Sequence, residues 1–250
     1  MTLACPTRTV SPYESGRLAQ SDARLFRPGG LELTERAIAL ARLCPGAKIL
    51  DLGCGAGDTV RWLCAQGFDA IGIDPAPGPH PPGTSEPGPA ASILGRAEAL
   101  PFPDTALHAI VAECSLSLVA DRNRALAECA RVLMHGGRLM ISDLYARQPA
   151  AIPAVRSLQD SSAATMFVRA ELEASLANAG FLVNIWEDHS RALRECAARF
   201  LFEHGSLDGL WGCTDQSSAA TQAAMRAARA GYFLLIATRR NRSREKGSGD

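Results

Sequence analysis

The chain has 250 residues, 47% of them apolar and 21% charged, and its 26 basic and 26 acidic side chains cancel. That length suits one α/β domain with a covering segment and is short for two independent domains. A neutral balance gives no electrostatic footprint for nucleic acid, whose binders cluster Lys/Arg on one face, and no apolar run approaches the roughly 18 residues that span a membrane. Met1 to Pro6 lack the basic-then-apolar layout of a secretion signal. The eight cysteines are scattered without C-x-x-C spacing, so reduced thiols, no metal site and a cytoplasmic setting are expected.

Residues 1–46 read as a cap. Turns at Pro12–Arg17 and Arg27–Gly30 precede a helix over Leu31–Leu43, in which Leu33, Ala37, Leu40 and Ala41 recur at helical spacing. Gly29 and Gly30 either line a pocket or only start that helix. Next comes Ile49-Leu50-Asp51-Leu52-Gly53-Cys54-Gly55-Ala56-Gly57, an apolar run that breaks into a glycine turn and opens a helix with Val60, Leu63 and Cys64 on one stripe. Ala70–Asp74 is a second strand. This is the entry of a doubly wound sheet, in which ligands sit at the carboxyl ends of the strands. Asp51 is placed to meet an ammonium group there, and Asp74 to accept both hydroxyls of a ribose.

A dinucleotide fingerprint needs G-x-G-x-x-G. Here Asp58 stands where the third glycine belongs, and a carboxylate beside a pyrophosphate at a helix N-terminus is repulsive. The spacing favours a phosphate-free nucleoside with a cationic, amino-acid-like arm, namely S-adenosylmethionine. A nicotinamide cofactor and a purely structural turn are the weaker readings.

Pro75–Pro89 holds seven prolines and three glycines in fifteen residues and cannot be a helix interior. Further strands are expected at Ser92–Gly95, His108–Glu113, Gly137–Tyr145, Phe181–His189 and Gly231–Ala237. Helices are expected at Arg122–Leu133, across the alanine-rich 150–180 with a Gly180 cap, at Arg191–Glu203 and at Ser217–Arg229. Met134–Gly137 reads as a glycine C-cap. The roughly forty residues around 190–230 form an insertion, and the basic 241–250 reads as a disordered, solvated tail.

At Asp51–Gly57 and Asp74 the chain resembles the class I S-adenosylmethionine-dependent methyltransferases, most closely the small-molecule branch with quinone C-methyltransferases and arsenite methyltransferases. The resemblance covers about Ala47 to Tyr145 and implies a Rossmann-like seven-stranded sheet with an antiparallel last strand. It implies a single domain over 1–240, with 47–149 as the cofactor-binding core and 150–240 as the C-terminal half. It places the methionine arm on Asp51, Gly53, Cys54, Gly55 and Gly57, with Glu113 bracketing it, and the ribose on Asp74 beside Pro75. Ala97 and Glu98 fall on the family's adenine loop, where Arg96 replaces the usual aspartate, and Glu98 is either a ligand or a tether. His108 and His135 depart from the pattern, and His108 reads as a surface residue. Cys114 or Ser115 is expected to face substrate, with a core role as the other reading of Cys114. Glu113, Asp143, Tyr145, Asp188 and His189 are general-base candidates, with none selected. An arsenite-type site would need converging thiols from Cys5, Cys114 and Cys213, and that layout is not evident. The expected activity is methyl transfer to a small-molecule acceptor; the alternative is a cofactor-binding protein without turnover. The insertion is read as a lid, a dimer or partner surface, or an elaboration.

Overall fold

The computed structural model describes residues 27–76, 91–156, 165–207, 210 and 218–241. The Pro12–Arg17 turn, most of the proline-rich segment, Cys5, Trp211, Cys213 and residues 242–250 lie outside them.

Helix α1 (Gly30–Ala41) precedes β1 (Lys48–Leu52), α2 (Asp58–Ala65), β2 (Asp69–Asp74), β3 (Ser92–Leu94) and β4 (Leu107–Glu113). Then follow α3 (Arg122–Val132), β5 (Leu133–Ala146), α4 (Ile152–Arg156), α5 (Arg169–Asn178), β6 (Phe181–Asp188), α6 (Ser190–His204), α7 (Ser218–Ala227) and β7 (Ala230–Arg239). The seven strands form one sheet in the order β3-β2-β1-β4-β5-β7-β6. Strands β1 to β5 pair in parallel, whereas β7 runs antiparallel to both neighbours.

Successive strand residues point to opposite faces, so a sheet covered on both sides reads as a continuous apolar run. Ile49, Val111, Met140 and Ile236 enter one core layer with α1 and α2. Leu50, Ile110, Ile141 and Leu235 enter the other, with α3 and α5. Helix α3 buries Ala125, Leu126, Cys129 and Val132, and its N-cap Asp121 accepts the Arg124 N–H at 3.0 Å. Three-residue β3 leaves Leu94 74% exposed, so the sheet is thinly covered at that edge.

Two expectations are corrected. No glycine cap ends α3: Leu133 is already extended (φ −72°, ψ 143°) and starts a fourteen-residue β5. Gly136 (φ +79°) and Gly137 instead carry an irregularity opposite Leu107–Ala109, where a Cβ on Gly137 would meet Met134 O at 2.8 Å. The 150–180 stretch is also not helical throughout. Phe167 bridges Tyr145 as a short extended piece, its carbonyl accepting the Ala146 N–H at 2.8 Å. That piece extends the sheet beyond the end of β4. Gly180 (φ +89°) does follow α5 in the left-handed conformation.

Candidate active site

The glycine turn leaves β1 at the carboxyl edge, on the α1 face of the sheet. The Gly53 and Cys54 N–H groups both donate to Ile73 O, at 2.8 and 3.2 Å, pinning the turn to β2. Gly53 (φ +80°) is required twice, because a Cβ there would also lie 2.4 Å from Ser115 Cβ. Ser115 leaves β4 and donates its hydroxyl to Leu52 O at 2.5 Å. Gly55 (φ +52°) differs: nothing lies within 4 Å of its would-be Cβ, so it faces open space. Gly57 (φ +80°) is the N-cap of α2. Cys54 turns its thiol onto Gly72, whose Cβ would lie 2.4 Å from the sulfur. Burial, then Asp51 and Asp74, push that thiol up to about 12.

Asp74 Oδ2 accepts the Gly55 N–H at 3.0 Å, and Oδ1 accepts the Ala76 N–H at 2.8 Å. The second strand thus fixes the turn, and neither oxygen accepts a further hydrogen bond among the described residues. Pro75 beside it is exposed.

Asp51 is 4% exposed, and no hydrogen bond reaches its carboxylate among the described residues. Burial, then the Glu113 charge, push it up to about 8, and only Arg27 opposes them. Glu113 is heavily tied. It pairs with the Arg27 guanidinium and accepts from the Thr34 hydroxyl at 2.8 Å and the Thr59 hydroxyl at 3.0 Å. Arg27 also donates to Thr59 Oγ1 at 2.6 Å and Thr34 Oγ1 at 3.0 Å. One cation therefore joins the entry to α1, the start of α2 and the end of β4.

On the adenine side, Ala97 is buried, and its N–H forms no hydrogen bond with the described residues. Glu98 turns away: Oε1 accepts the Asp121 N–H at 3.4 Å and Oε2 lies 3.8 Å from Arg96 Nε, which ties the loop to α3. On the substrate side, Cys114 holds a left-handed φ of +52°, strained for a side chain of its kind. Its sulfur lies 2.9 Å from the Tyr232 hydroxyl, which donates to Ser142 Oγ at 3.2 Å. Burial raises both the thiol and the phenol.

The base candidates do not converge on the turn, although Tyr145 and Asp188 share a side-chain hydrogen bond. Asp143 accepts the Ser117 N–H at 3.1 Å and the Leu144 N–H at 2.8 Å, and burial pushes it only to about 6. Tyr145 lies in the opposite core layer, edge-on to Trp186 and Phe233. Asp188 accepts the Ser190 N–H at 2.7 Å, and His189 Nε2 lies 2.9 Å from Glu187, which Arg36 clasps with two nitrogens. His108 is exposed, and its Nδ1 accepts the Lys48 N–H at 3.0 Å. Only Glu113 stands at the turn. Among the described residues no three His, Cys, Asp or Glu groups converge on a metal position, and no helix is long and apolar enough to cross a membrane.

Arg27, Thr34, Thr59, Gly72 and Tyr232 are site residues that sequence reasoning missed. The one local signal was Arg27-Pro28-Gly29-Gly30, a turn that throws the arginine back over the crevice.

Residues 50–141 match the family described as Methyltransferase domain. Malonyl-acyl-carrier protein O-methyltransferase of Serratia marcescens is 30% identical over 140 residues, which is 56% of this chain and 51% of that protein. Demethylmenaquinone methyltransferase of Renibacterium salmoninarum is 31% identical over 99 residues, 40% of this chain and 42% of that protein. The chain thus spans roughly half the length of these curated relatives. Haemonchus contortus phosphoethanolamine N-methyltransferase 2, solved with S-adenosyl-L-methionine, superposes with a TM-score of 0.65. That match covers 94% of this chain and 59% of the other at 12% identity, a likeness of fold.

Proposed function

We propose that this chain, whose residues 50–141 match a methyltransferase domain, binds S-adenosylmethionine at the carboxyl ends of β1, β2 and β4 and methylates a small-molecule acceptor. One observation carries the reading: Asp51 is a buried carboxylate without a hydrogen-bond partner among the described residues, set beside a turn that is open at Gly55. A buried unpaired carboxylate is costly and is relieved by a cation. The ammonium of an amino-acid arm is such a cation, and Arg27, poised against Asp51 and Glu113, offers its guanidinium to the arm's carboxylate. The outer lone pairs of Asp74 take the ribose hydroxyls, and the Ala97 N–H faces the base. Asp51, Asp58, Asp74 and Glu113 put four carboxylates in one field around the turn, which disfavours a pyrophosphate.

The cofactor brings an electrophilic methyl on a sulfonium whose leaving group is neutral. The chain's task is then alignment and water exclusion. Arg27 and Thr34 close the α1 side of the crevice, and Cys114, Tyr232 and Ser142 form its floor beyond β4. Glu98 is read as a tether of the adenine loop, because its carboxylate is turned to Asp121. We read residues 1–46 as the cap, 47–149 as the cofactor-binding core, and 150–240 as the C-terminal half of one domain. The 190–230 insertion is the surface proposed for a protein partner or second copy, since α6 leaves Phe202 92% exposed.

Calorimetric titration of S-adenosylmethionine and S-adenosylhomocysteine into wild type and Asp74→Ala tests the pocket. Micromolar binding lost in the variant is expected; a wild type that binds neither overturns the reading. An acceptor screen that includes quinols and malonyl thioesters, following the named relatives, tests turnover. Failure of every acceptor class to give product would leave a cofactor-binding protein without turnover.

A further inference from the structure

A second cavity, of about 430 Å³, lies on the same face of the sheet but at the other end of the strands. Arg36, Leu40, Arg42, Arg138, Asn184 and Ile236 are among its lining residues. Arg138 stands four residues before Ser142, the β5 residue level with Glu113. At about 3.3 Å per strand residue this is roughly 13 Å below the glycine-turn site.

The lining includes three arginines and no acidic residue. Their states differ. Arg36 has two nitrogens held by Glu187. Arg42, the C-cap of α1 in the left-handed conformation (φ +52°), makes no hydrogen bond or ion pair among the described residues. Arg138 is half-buried, and its cross-strand partner is Thr238. Its Nη1 donates to the Thr238 hydroxyl, which in turn donates to Asn184 Oδ1. This chain orients the Arg138 fork and spends only the acceptor of Asn184, leaving the amide N–H groups as donors. Asn184 occupies the register shift between Val183 and Ile185, where β6 slips against β7. A bulge of this kind re-aims a side chain and often borders a functional site.

We propose that this cavity is a binding site for a small molecule bearing a phosphate monoester. A planar carboxylate fills one guanidinium fork, whereas a tetrahedral dianion engages two forks and an amide together. The volume lies within the range of small-ligand sites, and Leu40, Ile185 and Ile236 provide an apolar wall for the body of the ligand. The site is separate from the glycine-turn crevice and does not depend on the cofactor reading.

The test is calorimetric titration of the full chain with inorganic phosphate and with glycerol 3-phosphate at constant ionic strength. Saturable binding of both is expected, with the ester at least as tight as the free anion. Arg42→Gln and Arg138→Gln should each weaken it about tenfold, the loss of one charged hydrogen-bonding partner. Arg191→Gln, which alters an exposed arginine of α6 paired with Glu195, should leave it unchanged. Arg138→Lys, which keeps the cation without the fork, should fall between wild type and Arg138→Gln, and thermal denaturation checks that every variant is folded. No saturable binding by wild type overturns the site, and so does binding that survives both Arg42→Gln and Arg138→Gln. Phosphate binding with exclusion of the ester overturns the monoester assignment.

Discussion

Asp51 and Asp143 are two aspartates near the carboxyl edge of one sheet, 4% and 1% exposed, yet the fold treats them differently. Asp143 is given two backbone N–H donors, from Ser117 and Leu144, and burial lifts it only to about 6. Asp51 is given none among the described residues, faces the charges of Glu113, Asp74 and Asp58, and is lifted to about 8. Desolvation acts on both, so the hydrogen bonds to Asp143 and the carboxylates gathered around Asp51 make the difference. A buried carboxylate that the fold has satisfied is a structural joint. One left unsatisfied beside an open turn is a place for a ligand.

Exchanging charge for amide at Asp51 gives the largest effect. Asp51→Asn should weaken S-adenosylhomocysteine binding by about 3 kcal/mol, roughly a hundredfold, as expected for removing one partner of a buried charge pair. Its melting temperature should not fall, since the free protein loses a costly charge. Asp143→Ala should do the reverse, losing about 2 kcal/mol of stability by stranding the Ser117 N–H, with cofactor affinity kept. Calorimetry and urea unfolding read both, and an Asp143 variant that loses binding instead would erase the distinction.

The glycine turn contains a matching contrast. In Gly53→Ala the left-handed φ and the 2.4 Å approach to Ser115 both count, and together they should cost about 2–3 kcal/mol of folding stability. Gly55→Ala meets no protein atom and should cost only about 1 kcal/mol, its main consequence being weaker cofactor binding. Equal destabilisation would mean that Gly55 does not face open space.

The pH dependence follows from the direction of the Asp51 shift. Its folded value, about 8, lies above its ordinary 3.8, so this group lowers stability progressively as pH rises from about 4 to about 8, and fully above that. Asp51→Asn should flatten that slope. A cationic arm selects the ionised form, so binding near pH 7 should release a proton. Affinity should rise by up to about tenfold per unit below pH 8 and then level off. Titrations in buffers of different ionisation enthalpy read the proton directly. Affinity that is flat from pH 6 to 8 with no proton released would count against Asp51 as the ammonium partner.

Much of this arrangement was legible in the sequence. The apolar run, the alternate glycines and Asp74 are local signals, and they located β1, α2, β2 and the turn. The periodicity of Ala125, Leu126, Cys129 and Val132 did the same for α3. The contacts that finish the site are not local. Arg27 meets Glu113 across 86 positions, Thr34 meets it across 79, and Cys114 meets Tyr232 across 118. No periodicity encodes such pairings. Gly53 and Gly55 also read alike in sequence, because what separates them is the later arrival of Ser115. The α3–β5 boundary was misread since Gly136-Gly137 signals a cap equally well as a strand irregularity.

Thr221 tests how far the Asp51 argument extends. It is fully buried on α7, and its enclosed hydroxyl also has no partner among the described residues. A neutral hydroxyl in an apolar wall costs far less than a carboxylate and calls for no counter-charge. If charge rather than mere lack of a partner marks a ligand position, Thr221→Val should raise stability by up to about 1 kcal/mol, since an isosteric methyl removes the unmet desolvation cost. Cofactor affinity should be unchanged. A loss of affinity in Thr221→Val would instead bring α7 into the site, and the insertion would then act on the crevice as well as on its surroundings.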